Sequence, residues 1–498
     1  MMRSLFSGVS GLKVHQTKLD VIGNNIANVN TVGFRGSTVT FSDVFYQTSQ
    51  SASGPNAETG TAGRNAMQIG LGTDMASVSV NLSGNGSTQR TDRGLDLMIN
   101  GDAFFVVNSN GMNYFTKAGH MDIDAAGTMY CKTNGATVMG WQVDALGNPI
   151  VDQVSPLRVM SPENSYIPPE ATTNVTMSGN ISRNGKTVAE DSEGYTLSVQ
   201  FFDNLGESYM ASFKLKRAAE DAGAEEGTVP FTVTLSNVTS STTGESLLTE
   251  RITDDAGALV YQPRAEFPPI NWGGTALTAE HLDVDAVSGA ITILDDAPTA
   301  QLLFNVASGQ FVSIGSDGGE AGETINFNMN PDGAALSFPE EGIDIDFSKI
   351  TMYDEKGETN VKPLRGDADR SYEGAGRAAG RLEGIAVSQD GLITGTYSNG
   401  DKRPLGMIAV ATFPNPSGLE AVGSSMFAAS MNSGEFDGVG VNINAAGGEF
   451  SVGALEMSNV DLATEFTTMI TTQRGFQANS RIITTSDTML EELINLKR

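Results

Sequence analysis

The chain has 498 residues, with 59 Asp and Glu against 30 Lys and Arg, which gives a formal charge of −29. Its length predicts about three or four domains, and its apolar content of 39% is that of a globular protein. The charge excludes nucleic acid and anionic membranes as main partners, because no basic stripe is present to replace the counterions of phosphate groups. No apolar run reaches the ~18–20 residues of a membrane helix, so membrane insertion is not expected.

The first predicted element is an amphipathic helix at the N-terminus. Its apolar residues recur at the three- and four-residue spacing of a helical stripe: Leu5, Val9, Leu12, Leu19, Ile22 and Ile26. Gly8, Gly11 and Gly23 each weaken an isolated helix by about 0.8–1 kcal/mol. We therefore expect this helix to become ordered when its stripe finds a partner.

The helix is followed by a segment with little core-forming material. Ser, Thr, Gly and Asn dominate residues 47–63. This composition predicts a long extended connector over residues 31–75, with a disordered linker as the alternative.

The middle of the chain has the pattern of strands and turns. Apolar and polar residues alternate at 74–80 and 195–201, and Asn-Gly and Asp-Gly pairs interrupt the strands. Mainly antiparallel sheets, arranged as barrels or sandwiches, are expected here. Residues 151–360 hold 33 acidic and 10 basic residues, and so most of the negative charge should face water.

The C-terminal segment predicts a second, longer helix with an apolar stripe that continues for nearly four heptads: Leu462, Phe466, Met469, Phe476, Ile483 and Leu490. We expect it to begin near Ser458 and Asn459, with Asp461 in its first turn. The two terminal helices are predicted to pair, with their stripes facing each other or their copies in adjacent subunits. An ordinary helix pair within one domain is the alternative interpretation.

No motif of the sequence predicts a catalytic, metal or cofactor site. His15, His120 and His281 lie far apart, and neither a nucleophile elbow nor a Walker loop is present. Residues 122–127 resemble the opening of a calcium loop, but Thr133 stands where the bidentate Glu is required. A hairpin turn is the better interpretation of that segment.

The single cysteine, Cys131, excludes an intrachain disulfide. It is most simply a small buried apolar residue. The N-terminus lacks the apolar stretch of a cleavable secretory signal.

One stretch after the first helix carries a resemblance to a known family. Residues 19–35 resemble the signature shared by axial proteins of the bacterial flagellar rod and hook, including a helix-to-connector motif formed by Asn24, Asn25, Asn28, Asn30, Gly33 and Phe34. Four further segments resemble the same family in the same order: residues 95–107, 391–406, 453–462 and 473–479. Within the family, the length and the segment 195–216 favour a hook-type subunit over the shorter rod-type proteins.

The resemblance, together with the pattern above, implies a mainly β fold with terminal α-helices. A coiled-coil-like pair of N- and C-terminal helices would adjoin discontinuous, nested β-barrel or β-sandwich domains and an inserted outer domain. The expected division is an inner helical domain (1–30 and 455–498), an extended connector (31–75), a first β domain (76–148 and 366–454), a second β domain (149–217 and 341–365), and an inserted acidic outer domain (218–340).

The function implied by the resemblance is structural rather than enzymatic. The chain would self-assemble into the curved helical tube of the hook, a universal joint that transmits torque from rod to filament. Its partners would be further copies, the distal rod protein, the hook-filament junction protein, the hook cap during assembly, and the flagellar type III export apparatus. Its location would be extracellular, without a cleavable signal and without a cofactor.

Two alternatives remain open. The first is a different flagellar axial protein, such as a distal rod or hook-cap-like protein. The second is an acidic secreted adhesin or calcium-binding β protein.

Overall fold

The computed structural model describes residues 2–55, 60, 62–144, 148–218, 227–253, 259–294, 296–316, 321–331, 337–369 and 373–496. Parts of the predicted connector and of the predicted inserted domain lie outside these residues. The chain divides into two compact units. Unit 1 comprises residues 1–165, 382–397 and 401–498, and unit 2 comprises residues 166–381 and 398–400.

Unit 1 contains both long helices and the first and last groups of strands. The helices are α1 (Met2–Ala27) and α2 (Leu462–Asn495). The first group of strands is β1 (Ser37–Asp43), β2 (Tyr46–Gln50), β3 (Met67–Gly70), β4 (Thr73–Val80), β5 (Thr88–Arg90), β6 (Leu97–Asn100), β7 (Phe104–Ser109), β8 (Met112–Thr116), β9 (Met121–Ile123), β10 (Met129–Cys131), β11 (Thr137–Trp141) and β12 (Ser155–Pro156).

Unit 2 contains the middle strands: β13 (Tyr166–Ile167), β14 (Asn174–Asn180), β15 (Tyr195–Phe202), β16 (Ser208–Arg217), β17 (Thr228–Ser240), β18 (Thr249–Thr253), β19 (Leu259–Pro263), β20 (Ile270–Trp272), β21 (Thr275–Leu277), β22 (Leu282–Val284), β23 (Ile291–Ile293), β24 (Thr299–Asn305), β25 (Phe311–Ser316), β26 (Thr324–Asn328), β27 (Ile343–Thr351) and β28 (Asn360–Arg365). A short 3₁₀ turn, Ala279–His281, precedes β22.

The last strands are β29 (Gly380–Val387), β30 (Leu392–Tyr397), β31 (Lys402–Ile408), β32 (Val410–Ala411), β33 (Glu420–Gly423), β34 (Met426–Ala428), β35 (Glu449–Val452) and β36 (Ala454–Glu456). A 3₁₀ turn, Pro416–Gly418, precedes β33. The predicted fold class, mainly β with terminal helices, is confirmed.

The terminal helices pair in antiparallel orientation. The Oγ atoms of Ser4 and Ser486 lie 3.4 Å apart at one end, and Asn25 donates a hydrogen bond of 2.9 Å to Glu465 at the other. At 1.5 Å per residue the 26 residues of α1 span about 39 Å and the 34 of α2 about 51 Å. The longer helix, α2, therefore extends beyond the end of α1.

The start of α2 differs from its prediction by a few residues. The helix begins at Leu462, and Asp461 is its N-cap rather than part of its first turn. The Asp461 carboxylate accepts a hydrogen bond of 3.0 Å from the Ala463 amide. A side chain that satisfies a free amide at the helix end fixes the start there.

Residues 37–53 and 64–80 form a two-stranded antiparallel ribbon. Strand β1 pairs with β4 from Ser37 opposite Val80, and β2 pairs with β3 farther out. The pairing continues to an isolated bridge between Ser53 and Arg64. The segment predicted as a connector thus has regular structure in its described part.

The main sheet of unit 1 has the order β30-β31-β11-β7-β8-β34-β33, with residues 382–387 of β29 beside β30. Phe104, Phe115 and Trp141 are among the side chains of its core. Cys131 is buried, as predicted, and burial raises the pKa of its thiol. The predicted turn at 122–127 joins β9 to β10, where Asp124 accepts hydrogen bonds from the Ala126 and Thr128 amides.

Unit 2 is built on two main sheets that share one core. Their orders are β21-β20-β26-β27-β14-β28 and β15-β16-β17-β24-β25, and Trp272, Phe213 and Phe327 lie in the core between them. Strands from both sides of residues 217 and 341 belong to these sheets. The finer domain division at those positions remains a prediction.

Of the two arrangements predicted for the β domains, barrels or sandwiches, the barrel is wrong. Among the described residues, the main sheets end in unpaired edge strands, so they form open sheets and a sandwich but no closed barrel. Closure requires the first and last strands of a sheet to pair, and alternation within single strands does not specify that pairing. No described helix has the length and hydropathy required to cross a membrane.

Candidate functional site

The two terminal helices approach closely because small residues lie where they meet. A Cβ atom on Gly11 would lie 2.6 Å from the Asn479 side chain, and one on Gly475 would lie 2.8 Å from the His15 ring. Gly8 and Gly11 are both buried in α1. Two of the three glycines that weaken α1 as an isolated helix, Gly8 and Gly11, therefore provide the space into which α2 packs.

His15 lies between three elements of unit 1. Its ring contacts Gly475 of α2 and packs edge-on against Phe41 of β1, with ring centroids 5.7 Å apart. Its Nδ1 is buried without a hydrogen-bond partner. Burial, with a smaller contribution from the charge of Lys18, lowers the pKa of His15 below its ordinary value.

The predicted apolar stripes lie beside the contact line of the helices. Buried Thr472 and Ser486, together with Asn479, mark that line on α2. At about 100° per residue, Phe466 and Phe476 are displaced from it in one rotational sense. The burial of the predicted residues is as follows: Ile22 is buried, Leu5, Leu12, Leu19, Ile26, Met469, Ile483 and Leu490 are half-buried, and Val9, Leu462, Phe466 and Phe476 are exposed.

Both stripes lie on the same side of the helix pair. On α1, Gly8 and Gly11 mark the contact line with α2. Leu5, Val9 and Leu12 are rotated away from that line around the axis of α1. The α2 stripe is rotated away from its own contact line in the same sense. Since the helices are antiparallel, equal senses of rotation bring both stripes to one side. That side carries large exposed side chains, including Val9 at 54% and Phe466 at 46% exposure, as interaction surfaces do.

The Asn-rich motif connects α1 to the ribbon and to α2. Asn25, 1% exposed, donates to the Ser37 carbonyl and accepts from the Ser37 amide, both at 2.9 Å. Its Nδ2 also donates to Glu465 of α2. One side chain therefore fixes the end of α1, the start of β1 and the first turn of α2.

The other asparagines of the motif have local or no described partners. The Asn28 amide group donates to the Asn24 carbonyl at 2.9 Å and to its side-chain oxygen at 3.0 Å, and Thr31 donates to Asn28. These bonds close the turn after α1. Asn30 is exposed.

Gly33 occupies a backbone position that excludes a side chain. Its φ is 68°, in the left-handed region that favours glycine, and a Cβ would lie 2.7 Å from the Ala118 amide nitrogen. Its own amide donates to the Glu456 carbonyl at 2.8 Å. Phe34 is half-buried beside it.

A buried ion pair lies next to this glycine. Arg35 and Glu456 are 2.8 Å apart, with side chains 1% and 0% exposed. Arg35 also donates to the Gly84 carbonyl, and Glu456 accepts from the Gly86 amide, each at 2.7 Å. The pair joins the segment after α1 to the strand that leads into α2.

A second cation lies in the same neighbourhood. Lys117 is 1% exposed; its Nζ donates to the Gly101 carbonyl at 2.6 Å and lies 5.2 Å from the centre of the Phe104 ring. Burial lowers the pKa of Lys117 to about 8, against the opposing effect of Glu456. Among the described residues, no group of three or more His, Cys, Asp or Glu is placed to hold a metal ion.

The ribbon packs one of its faces against α1. Phe41 contacts His15, and the Lys18 ammonium lies 5.3 Å from the centre of the Phe41 ring. Farther along, the Thr73 amide donates to the Ser10 hydroxyl. The opposite face carries paired hydroxyl groups, such as those of Thr40 and Ser77 at 2.7 Å. Phe45, Tyr46, Met67 and Ile69 of the outer ribbon are exposed.

Arg35, Glu456 and the contacts of Asn25 form a junction between α1, the ribbon and α2. Sequence reasoning missed the ion pair that holds this junction together. Arg35 lies within residues 19–35 and Glu456 within residues 453–462, but nothing in either segment marks the two as partners. The small residues Gly8, Gly11 and Gly475 were a detectable signal, since small residues at three- to four-residue spacing permit close helix contacts.

Comparisons with known proteins agree with this architecture. Residues 5–35 match the family described as flagella basal body rod protein, and residues 451–496 match the family described as flagellar basal body rod FlgEFG protein C-terminal. These two segments contain most of α1, both partners of the buried ion pair, and all of α2.

Full-length relatives extend the similarity to the whole chain. The flagellar hook protein FlgE of Treponema pallidum is 33% identical, and that of Borreliella burgdorferi 32% identical, over all of both chains. The flagellar basal-body rod protein FlgG of Bacillus subtilis is 27% identical over all of both chains. With its paired terminal helices, its β middle, and identity of this extent to a curated hook protein, the chain belongs to the flagellar hook protein FlgE family.

Proposed function

We propose that many copies of this chain assemble through their terminal helices into the curved tube of the flagellar hook, which transmits torque from rod to filament. The observation that best supports this proposal is the exposed apolar side of the helix pair. In one chain it leaves Val9, Phe466 and Phe476 exposed, although each is a residue type that stabilises a protein by burial. Packing against further copies would cover it.

The junction supports a role in force transmission. A subunit that carries torque must keep its inner helices at a fixed angle to its sheets. The buried pair of Arg35 and Glu456 and the three hydrogen bonds of Asn25 connect α1, the ribbon, β36 and α2. The ribbon would brace the helices against the β domains.

The acidic middle of the chain supports a role in bending. Residues 151–360 carry 33 acidic against 10 basic residues, a surface that faces water and repels its copies. Wet, polar contacts exchange partners at low cost. Neighbouring subunits could therefore slide past one another as a curved tube rotates.

The site residues follow from this proposal. The self-assembly residues would be those of the two stripes, and Asn24, Asn25, Asn28, Asn30, Gly33 and Phe34 would shape the exit from the helix. The end partners would be the distal rod protein and the hook-filament junction protein, with the hook cap acting during assembly. The chain would reach the extracellular flagellum through the type III export apparatus and would have no catalytic role.

Electron microscopy of the purified protein under polymerising conditions tests the proposal. Curved tubes are expected from the full chain, and none from a chain that lacks residues 1–25. Straight rigid tubes or short caps would favour a rod or cap protein instead. Polymerisation that survives the deletion would refute assembly through the helices.

A further inference from the structure

Asparagine followed by glycine is the dipeptide that loses its side-chain amide most readily, because glycine leaves its backbone nitrogen unhindered. That nitrogen attacks the side-chain carbonyl carbon of the asparagine, and ammonia leaves. The chain contains this dipeptide six times, starting at Asn85, Asn100, Asn110, Asn134, Asn184 and Asn399. The first of these pairs lies inside the junction formed by Arg35 and Glu456.

The junction holds Asn85 from both sides. The Gly84 carbonyl accepts a hydrogen bond of 2.7 Å from Arg35, and the Gly86 amide donates one of 2.7 Å to the Glu456 carboxylate. The Asn85 side chain between them is exposed and has no hydrogen-bond partner among the described residues. The carboxamide is therefore open to water, while the nitrogen that would attack it is bonded to a buried charge.

Packing requires glycine at residue 86. A Cβ there would lie 1.9 Å from the carbonyl oxygen of Met457, which excludes every residue with a side chain. The close approach that builds the junction therefore also creates the labile dipeptide. At Gly111, by contrast, the corresponding amide donates to a neutral acceptor, the side-chain oxygen of Asn108, at 3.1 Å.

Glu456 opposes the reaction electrostatically. The Gly86 nitrogen must lose its proton before it attacks, and the negative charge that results would face the Glu456 carboxylate at hydrogen-bond distance in a poorly screened site. The nitrogen must also turn from Glu456 toward Cγ of Asn85, which breaks the hydrogen bond. We propose that Asn85 is a deamidation site that the Glu456 carboxylate keeps unreactive while the junction is closed.

Opening of the junction releases the reaction. A bond forms between the Gly86 nitrogen and Cγ of Asn85, the bond from Cγ to Nδ2 breaks, and the amide group leaves with the proton of Gly86 as ammonia. Water then opens the succinimide ring at either carbonyl carbon, which gives aspartate or isoaspartate. Isoaspartate carries the backbone through Cβ and lengthens residues 84–86. The hydrogen bonds to Arg35 and Glu456 then no longer fit together, so the modification makes the opening permanent.

Peptide mapping by mass spectrometry tests this proposal in the full-length protein, incubated at neutral pH in water labelled with heavy oxygen. The label enters when the ring opens, so it marks only deamidation during the incubation. In the folded chain Asn85 should react about 10- to 100-fold more slowly than in the urea-unfolded chain, the contribution of a hydrogen bond to a charged group. Glu456→Ala should remove most of this protection and leave the rate at Asn110 unchanged.

Arg35→Met is the matched control. It breaks the same ion pair but keeps the carboxylate that binds the Gly86 amide, so Asn85 should stay protected. Asn85→Gln should give no labelled product at residue 85, because the larger ring forms far more slowly. If circular dichroism shows that Glu456→Ala has lost its helices, Glu456→Gln replaces it and should give a smaller increase, since its neutral oxygen still accepts the bond.

Three results would overturn the proposal. The first is an Asn85 that reacts as fast in the folded chain as in the unfolded one. The second is equal acceleration by Glu456→Ala and Arg35→Met, which would assign the protection to the general stability of the junction. The third is slower reaction in Glu456→Ala, which would show that the carboxylate acts as a base.

Discussion

Arg35 and Glu456, which are 421 residues apart in the chain, form an ion pair of 2.8 Å that is almost completely buried. Each partner also bonds to backbone in the segment 84–86. Three distant parts of the chain therefore meet at one pair of side chains. Removal of one charge leaves the other buried without a counterion, which is far less favourable than the loss of both.

The variant Glu456→Ala should lower the free energy of unfolding of unit 1 by about 3–5 kcal/mol, the cost of a broken buried ion pair. Urea unfolding followed by the fluorescence of Trp141, in a Trp272→Phe background, measures unit 1 separately. Asp122→Ala, which removes a partly exposed pair with Lys132, is the control and should change the curve little. Equal effects of both variants would contradict the role of the junction.

Asn25→Ala should loosen the connection between α1 and the ribbon. It removes the acceptor of the Ser37 amide and both donors to Ser37 and Glu465, and each buried group left unsatisfied costs about 1–3 kcal/mol. Hydrogen exchange at the Ser37 amide should become faster. Asn30→Ala, at an exposed position of the same motif, should leave that exchange unchanged.

Glycines of α1 should respond differently to alanine. Gly23 has no neighbouring atom within 4 Å of a built Cβ, so Gly23→Ala should stabilise the helix by about 0.8–1 kcal/mol. At Gly11 the new Cβ would meet Asn479 at 2.6 Å, and displacement of that side chain should cancel the gain. Thermal unfolding followed by helical circular dichroism compares the two, and an equal gain at both would show that the helices do not pack as described.

Acid should weaken the helix pair through His15. Its pKa in the folded chain lies below the ordinary 6.5, so the unfolded chain binds the proton more tightly. The contribution of His15 to stability is thus complete above pH 6.5 and is lost as the pH falls from that value through the lower, folded pKa. The positive charge of Lys18, on the same helix, also opposes a second positive charge at His15.

Thermal melts of the helices at neutral and mildly acidic pH measure this loss. His15→Gln cannot titrate but shares every other ionisable group, so the difference between the two proteins isolates His15. A loss of the same size in both would assign the acid sensitivity to other groups.

Much of the fold could be predicted because its signals are local. The three- to four-residue spacing predicted α1 and α2, and alternation predicted strands such as β4 and β15, because these patterns reflect backbone periodicity alone. The turn at residues 122–127 was likewise predictable from Asp and Gly at fixed positions. Whether the sheets close into barrels or stay open could not be predicted, because closure depends on pairing between strands far apart in sequence.

The sequence by itself determined the helical ends, the β middle, the uneven charge, and which helix faces are apolar. The tertiary structure alone decided what those faces meet. A helical stripe reports that a surface avoids water, but it does not report whether the cover is the same chain or another copy. Within this chain, glycine and small polar residues took the close contact because they allow the helix axes to approach. The large apolar side chains were thereby left beside this contact, where another copy can reach them.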